Sequence, residues 1–288
     1  MKVWIDGELL DGDAARVPVT DHGLLYGDGV FEGIRAFGRR VFRLDDHLAR
    51  LRVSAAAIGL ALPLDAGGLR EVVLATLRAF GRDDAYVRLV VTRGEGALGV
   101  DPTSCPRPRV ICIAAEATIF PPEKRAAGLD LVTVSWRRPG CDALDPRVKS
   151  LNYLNNALAK LEARRRGADE ALLLNGAGTI AEASVANVFA LRGRTLLTPP
   201  PADGCLEGIT RRTVLELAPA LGLAAAERSL TRTDLLGADE VFLTGTGAGI
   251  VAVRSLDGQA IGAGPPFATT ERLQAAYRER TKELGVPF

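Results

Sequence analysis

Residues 120–128, FPPEKRAAG, interrupt the chain. Two prolines open the stretch and a glycine closes it. β-rich runs lie on both sides, RVICIAAEA (109–117) and LDLVTVSW (129–136). A segment of this composition between two such runs reads as a linker. The expected organisation is a small N-terminal domain over 1–118, a linker over 119–128 and a larger C-terminal domain over 129–288.

Both halves mix strands and helices, so the fold class is α/β (α+β). In the first half VWID and ELL form a short hairpin, and GVFEGIRAF (29–37) is a strand. Residues 44–59 and 67–80 are helices, and AYVRLVVTR and RVICIAAEA are strands. The Gly/Pro-rich loop between those strands, GEGALGVDPTSCPRP, is too long for a simple hairpin, and loops of that length often carry function. In the second half Ser150 reads as the N-cap of a helix over 151–167, with Leu151, Leu154, Leu158 and Leu161 at helical spacing. EALLLN, TIAEA, NVFAL and TLLTP follow as short strands. A helix over 208–222, two strands around a Gly-rich turn and a final helix over about 266–284 complete the chain.

Composition narrows the function. The chain has 288 residues, 36 basic and 35 acidic, with a formal net charge of +1, and reads as soluble with no basic stripe for nucleic acid. Arg164, Arg165 and Arg166 fall at a helix end, where cations complement the dipole. The N-terminus MKVWIDGELLDG has no apolar signal region, and no apolar run is long enough to span a bilayer. A cytoplasmic protein without a membrane partner is expected. The four cysteines (105, 112, 141 and 205) fall in no metal or redox spacing and are expected as reduced thiols. His22 and His47 are the only histidines, which leaves little room for a histidine-ligated metal or a histidine triad, and no metal is expected.

Arginine is the default cation, since the chain has only five lysines among its 36 basic residues. Lys149 is therefore conspicuous at the start of KSLNYLNN. It either caps a solvated turn or, having lost a proton, attacks a carbonyl, which arginine cannot do. An unperturbed lysine is neutral at pH 7 only about once in 2,500; the expected helix start, or Arg147, would lower its pKa. Two anion cradles are candidates. LEGITR (206–211) enters a helix through Gly208, Ile209 and Thr210, and VFLTGTGAG (241–249) ends a strand in Thr244, Gly245, Thr246 and Gly247. The strand IVAV after the second excludes a dinucleotide fingerprint, which must open a helix. Each turn alone is a plain turn; together they suit one phosphate. Glu182, among short apolar residues, is either a strand-end carboxylate in water or a buried counter-ion for a ring nitrogen.

A lysine, a phosphate cradle and a lone carboxylate are what a pyridoxal-phosphate enzyme needs. The segments YGDGVFEGIR (26–35), HLARL (47–51), YVR…LGVDP (86–102), KSLNYLNN (149–156), Glu182/Asn187, GITR (208–211) and ADEVFLTGT (238–246) occur in an order that covers nearly the whole chain. In this the chain resembles the class IV aminotransferases, the fold-type IV pyridoxal-phosphate enzymes, and most closely the branched-chain amino acid aminotransferases. The resemblance implies a small N-terminal α/β domain and a C-terminal pseudo-barrel. It implies pyridoxal 5'-phosphate held by Lys149 as a Schiff base, with Lys149 shuttling the proton in ping-pong half-reactions. Glu182 would meet the pyridine nitrogen and Tyr153 the phenolic oxygen. Arg50, Ile209, Thr210, Gly245 and Thr246 would hold the phosphate. Tyr26, Phe31, Gly33, Arg35, Tyr86 and Arg88 would line the substrate pocket, with Thr246 and Gly247 N–H groups on the carboxylate. The implied reactants are a branched-chain L-amino acid and 2-oxoglutarate, and the implied assembly is at least a homodimer, with the 94–100 loop reaching toward a neighbouring site.

Two segments depart from the family pattern. Ala183-Ser184-Val185-Ala186-Asn187 replaces a usual Gly-[Ser/Thr]-Gly-acid-Asn run. Gly247-Ala248-Gly249, then Ile250-Val251-Ala252-Val253, stand where the family shows Ala-Ala-Glu and a later proline. A D-amino acid or (R)-amine transaminase of the same fold is therefore the nearest alternative, followed by aminodeoxychorismate lyase and a non-catalytic cofactor binder.

Overall fold

A computed structural model of the chain describes residues 1–116 and 119–288. They form two compact units. The first holds residues 1–116, 148–152 and 281–288, and the second holds 119–147 and 153–280. The expected boundary at 118 adjoins residues 117 and 118, which lie outside the described residues. The segments 148–152 and 281–288 pack with the first unit, although chain order alone places both in the second domain.

The first unit is built from β1 (Lys2–Ile5), β2 (Glu8–Asp11), α1 (His22–Tyr26), β3 (Gly29–Phe37), β4 (Arg40–Phe42), α2 (Leu44–Ala57), α3 (Ala66–Phe80), β5 (Ala85–Thr92) and β6 (Arg109–Ala115). A strand at Gly285–Pro287, not foreseen in the sequence, caps one edge, and the sheet runs C-terminal strand–β4–β3–β5–β6–β1–β2. Period-2 alternation places Val30, Ile34 and Ala36 on the face that meets Leu44, Leu48 and Leu51 of α2. The same core takes Leu69, Val73 and Leu77 of α3, and all nine residues are buried.

The second unit comprises α4 (Pro122–Ala127), β7 (Leu129–Arg137), α5 (Leu154–Arg165), β8 (Glu170–Leu174), β9 (Ile180–Ala183), β10 (Asn187–Arg192), β11 (Thr195–Thr198), α6 (Ile209–Leu217), β12 (Ala224–Glu227), α7 (Arg232–Leu236), β13 (Glu240–Gly245), β14 (Gly249–Leu256), β15 (Gln259–Ala260) and α8 (Ala268–Glu283). Its sheet runs β12–β11–β10–β13–β14–β7–β8–β9, with β15 paired to β14. It curls back so that β9 meets β10, where Ala183 N–H donates to the Ala186 carbonyl at 2.8 Å. This is the pseudo-barrel expected of the larger domain. Among the described residues no helix is long and apolar enough to cross a membrane.

Two local expectations fail for identifiable reasons. The stretch read as a linker contains α4, because proline is favoured at the first helical position, where its missing N–H costs nothing. The helix expected from Ser150 starts at Leu154, with Tyr153 as its cap. Ser150 instead forms a β-bridge to Val30. The leucine stripe is misleading too. Leu154 and Leu161 are 70% and 44% exposed, and the buried face is Asn156, Ala159 and Ala163. Small residues let α5 lie close on β7 and β8, against Val132, Val134 and Leu173.

That packing makes a test. Ala159→Leu should destabilise the protein by about 1–3 kcal/mol through overpacking. Leu161→Gln, at a surface position, should stay within about 0.5 kcal/mol of wild type. Urea titrations of both variants would check this, and the reverse ranking would refute the assigned face.

Candidate active site

In the first unit, β3 divides the expected residues between its two faces. Glu32 points with Val30 and Ile34 into the core beneath α2, where a carboxylate survives only if it is paired. α2 supplies the partners from one face, at helical spacing. Arg50 donates to Glu32 from Nε and Nη2, both at 2.7 Å, and His47 Nδ1 lies 2.7 Å from Glu32 Oε2. Burial alone would raise the Glu32 carboxyl. The charges of Arg50 and then His47 outweigh it and hold the pKa at about 2. Burial, above all, pushes the His47 imidazole below its ordinary 6.5, so Nδ1–H donates to Glu32. His47 Nε2 is buried without a partner.

The other face of β3 carries Phe31, Gly33 and Arg35 beside Tyr86 and Arg88 of β5, in antiparallel register. Lys149 arrives alongside at the centre of a tight turn, in which Ser150 N–H donates to the Val148 carbonyl at 2.9 Å. The Lys149 carbonyl accepts from Phe31 N–H at 3.0 Å, and its own N–H donates to Ser54 Oγ at 3.1 Å. Lys149 Nζ lies 4.3 Å from the Phe31 ring centroid, and the Arg88 guanidinium lies 4.5 Å from the same centroid. Arg88 also donates to Tyr86 Oη at 3.3 Å. Gly33 leaves room for the tyrosine, since an added Cβ would lie 2.2 Å from Tyr86 Oη and would displace that side chain. Arg35 stacks over Phe37 at 5.0 Å. Tyr26 Oη accepts from Gly99 N–H at 2.8 Å, and His22 Nε2 lies 2.9 Å from the Ala97 carbonyl, so the 94–100 loop is held by its own chain.

In the second unit Glu182 is buried on β9, so it is not the strand-end carboxylate in water. Arg138 Nη2 pairs with its Oε1 at 2.8 Å. Leu206 N–H and Asn187 Nδ2 donate to Oε2 at 3.1 and 3.2 Å. Arg138 also donates to Asn156 Oδ1 at 2.9 Å and to the Gly204 carbonyl at 3.2 Å. Asn187 joins this cluster to the two cradles. It pairs with Thr244 across β10 and β13, and its Oδ1 would stand 2.0 Å from any Cβ on Gly208, the residue before α6. Gly208 provides no side-chain cap. The hydroxyls of Thr210 and Thr244 are buried without partners. Gly245 ends β13, and Thr246, Gly247 and Ala248 form the turn into β14.

The expected residues thus fall into two sets. Tyr26, Phe31, Gly33, Arg35, Arg50, Tyr86, Arg88 and Lys149 belong to the first unit. Tyr153, Glu182, Ile209, Thr210, Gly245, Thr246 and Gly247 belong to the second. Sequence reasoning passed over Glu32, His47, Arg138 and Asn156 as partners. Arg138 meets Glu182 from 44 positions away, a pairing with no local signal. The helix expected to open at Ser150, next to Lys149 in the sequence, opens at Leu154 instead.

The amino-transferase class IV family matches residues 29–256. The chain belongs to the class IV aminotransferases. A Methanocaldococcus jannaschii protein, provisionally assigned as a branched-chain-amino-acid aminotransferase, is 46% identical over 286 residues, 99% of this chain and 98% of its own. The branched-chain aminotransferase of Thermoproteus uzoniensis, solved with norvaline, is 38% identical at a TM-score of 0.92, covering 100% of this chain and 99% of its own. That of Thermobaculum terrenum, solved in its pyridoxal-phosphate holo-form, is 30% identical at 0.88, covering 99% and 97%. The class IV family uses pyridoxal phosphate, and this chain is an aminotransferase of that family with its two-domain α/β fold.

The Glu32 cluster has a pH signature. The folded carboxyl titrates below the unfolded one, so its contribution is whole above pH 4.5 and is lost as pH falls toward about 2. The shift corresponds to stability on the order of 3 kcal/mol. Neutral burial of His47 acts in the same direction below pH 6.5, where the unfolded chain takes up a proton first. Glu32→Gln should therefore cost about 3 kcal/mol near pH 7 and clearly less near pH 3. Denaturant titrations at both pH values would show it; a pH-independent gap would refute the assignment.

Proposed function

We propose that this aminotransferase moves the amino group of a branched-chain L-amino acid to 2-oxoglutarate, using pyridoxal 5'-phosphate linked to Lys149. The observation that carries the reading is the Phe31 face of β3, where a lysine amine and the Arg88 guanidinium share one aromatic ring. An apolar ring suits a branched aliphatic side chain, and an adjacent arginine suits the second carboxylate of a dicarboxylic acceptor. Norvaline in the Thermoproteus uzoniensis structure, an unbranched aliphatic amino acid, accords with it.

The residues present fit the cofactor. The unpartnered Thr210 and Thr244 hydroxyls lie beside an uncapped helix start, which suits a phosphate. Glu182, paired with Arg138 and accepting from two N–H donors, suits a protonated ring nitrogen. When bound, pyridoxal phosphate supplies an aldehyde and an electron-withdrawing ring. Lys149 is the residue that would hold the cofactor covalently, and its Nζ, once free, would accept and return a proton. Glu182 would keep a proton on the ring nitrogen, and Tyr153 would orient the phenolic oxygen. Ile209, Thr210, Gly245 and Thr246 bind the phosphate, and Arg50 is assigned to it as well. Gly33, Tyr86, Tyr26 and Arg35 shape the substrate side, and the Thr246 and Gly247 N–H groups take the α-carboxylate.

We assign the working form as a homodimer. Leu24, Leu25, Leu98 and Val100 are exposed apolar residues on α1 and the loop it holds, a surface that a second copy would cover.

Single-turnover spectroscopy tests the reading. L-leucine alone should bleach the visible cofactor band, D-alanine and (R)-1-phenylethylamine should not, and Lys149→Ala should lower the rate about 10²–10⁴-fold. Bleaching by the D-acid or the amine instead would overturn the branched-chain assignment.

A further inference from the structure

The turn between β13 and β14 is held from outside. Gly245 pairs with Gly249, leaving Thr246, Gly247 and Ala248 as a three-residue loop, and Gly249 closes it at φ +68°, where a side chain would be strained. Glycines flank Ala248 on both sides, so the peptide planes around it are the freest links in the hairpin. Arg125 of α4 donates from Nη1 to the Ala248 carbonyl at 2.5 Å and from Nη2 to the Ile250 carbonyl at 3.4 Å. Gln274 of α8 donates to the same Ile250 carbonyl at 3.1 Å. The Arg125 bonds are charge-assisted, the stronger class of hydrogen bond. The segment that departs from the family pattern is thus the one this arginine grips.

We propose that Arg125, backed by Gln274, is a positioning residue for the substrate carboxylate, fixing the 246–249 turn so that its N–H groups hold one orientation. Gripping the Ala248 carbonyl sets the 248–249 peptide plane and restricts rotation at Gly247, whose N–H the turn offers to substrate. The proposal builds on the assignment of that turn to the α-carboxylate. Its energetic benefit is therefore specific to substrates with a carboxylate, and an amine lacking one gains nothing from it.

The experiment compares the cofactor-loaded wild type with Arg125→Ala, Arg125→Lys and Gln274→Ala. Arg125→Gln replaces Arg125→Ala if the latter does not fold. Arg125→Ala should raise KM for L-leucine about tenfold or more, the loss of one charge-assisted hydrogen bond, with kcat changed less than about twofold. The single-turnover constant for 3-methylbutylamine should not change. Arg125→Lys should restore KM in part, and Gln274→Ala should have a smaller effect. Hydrogen exchange of the 246–250 amides, followed by mass spectrometry without substrate, should speed up in Arg125→Ala. Unchanged exchange, or equal losses for the amino acid and the amine, would overturn the proposal. If wild type accepts D-alanine and not L-leucine, the branched-chain reading fails by itself, and D-alanine replaces L-leucine in the same comparison.

Discussion

A carboxylate cannot remain charged inside a protein without a partner, and the second unit is arranged around meeting that demand at Glu182. Arg138 leaves the end of β7 to reach it, fixing where that strand's connection to α5 must run. Asn156 of α5 and the Gly204 carbonyl take the rest of the guanidinium. Leu206 N–H and Asn187 take the other carboxylate oxygen, which sets the chain's path just before Gly208 and α6. One buried anion thereby fixes two strands, a helix and the approach to α6. Removing either member of such a pair costs about 3–5 kcal/mol, although the intact pair need add little net stability. Its contribution is to geometry.

The first unit uses the same device at Glu32, with Arg50 and His47 as partners. Here the anion sits on the core face of β3, while the residues assigned to substrate sit on the opposite face of the same strand. A strand pinned through one face by an ionic cluster cannot slide in register, and a slip of one residue would exchange Phe31 for Glu32. The buried cluster thus protects the arrangement of Lys149, Phe31 and Arg88 from the core side of the strand.

Sequence patterns disclosed most of the strands and helices, because period-2 and period-3.6 runs ended at Gly or Pro report on local backbone. The order of the quoted segments disclosed the family. What they did not disclose is instructive. Leu154 and Leu161 imitate a buried stripe, yet α5 buries alanines, since close approach to β7 and β8 matters more there than side-chain size. Ser150 has good N-cap chemistry but pairs with β3, a tertiary contact that propensity cannot report. Glu182 was visible as a lone carboxylate and Lys149 as an unexpected lysine. Arg138 was not visible, because a charge partner 44 residues away leaves no periodicity.

Scarcity of lysine drew notice to Lys149, but scarcity is not what distinguishes it. Lys2, Lys124 and Lys160 each end on a carboxylate, Asp11, Asp169 and Glu170, at 2.6, 2.9 and 2.6 Å. An arginine could make similar pairs, so ion pairing does not require lysine at those positions. Lys149 Nζ stands over the Phe31 ring, which it shares with the Arg88 guanidinium. An aromatic face attracts a guanidinium at least as readily as an ammonium, and Arg88 shows as much on this very ring. Attraction to the ring therefore gives no reason for lysine over arginine at 149 either. What separates the two there is reactivity, since only an amine can shed its proton and bond to a carbonyl carbon. The role proposed for Lys149 accounts for the residue type where the ring contact does not.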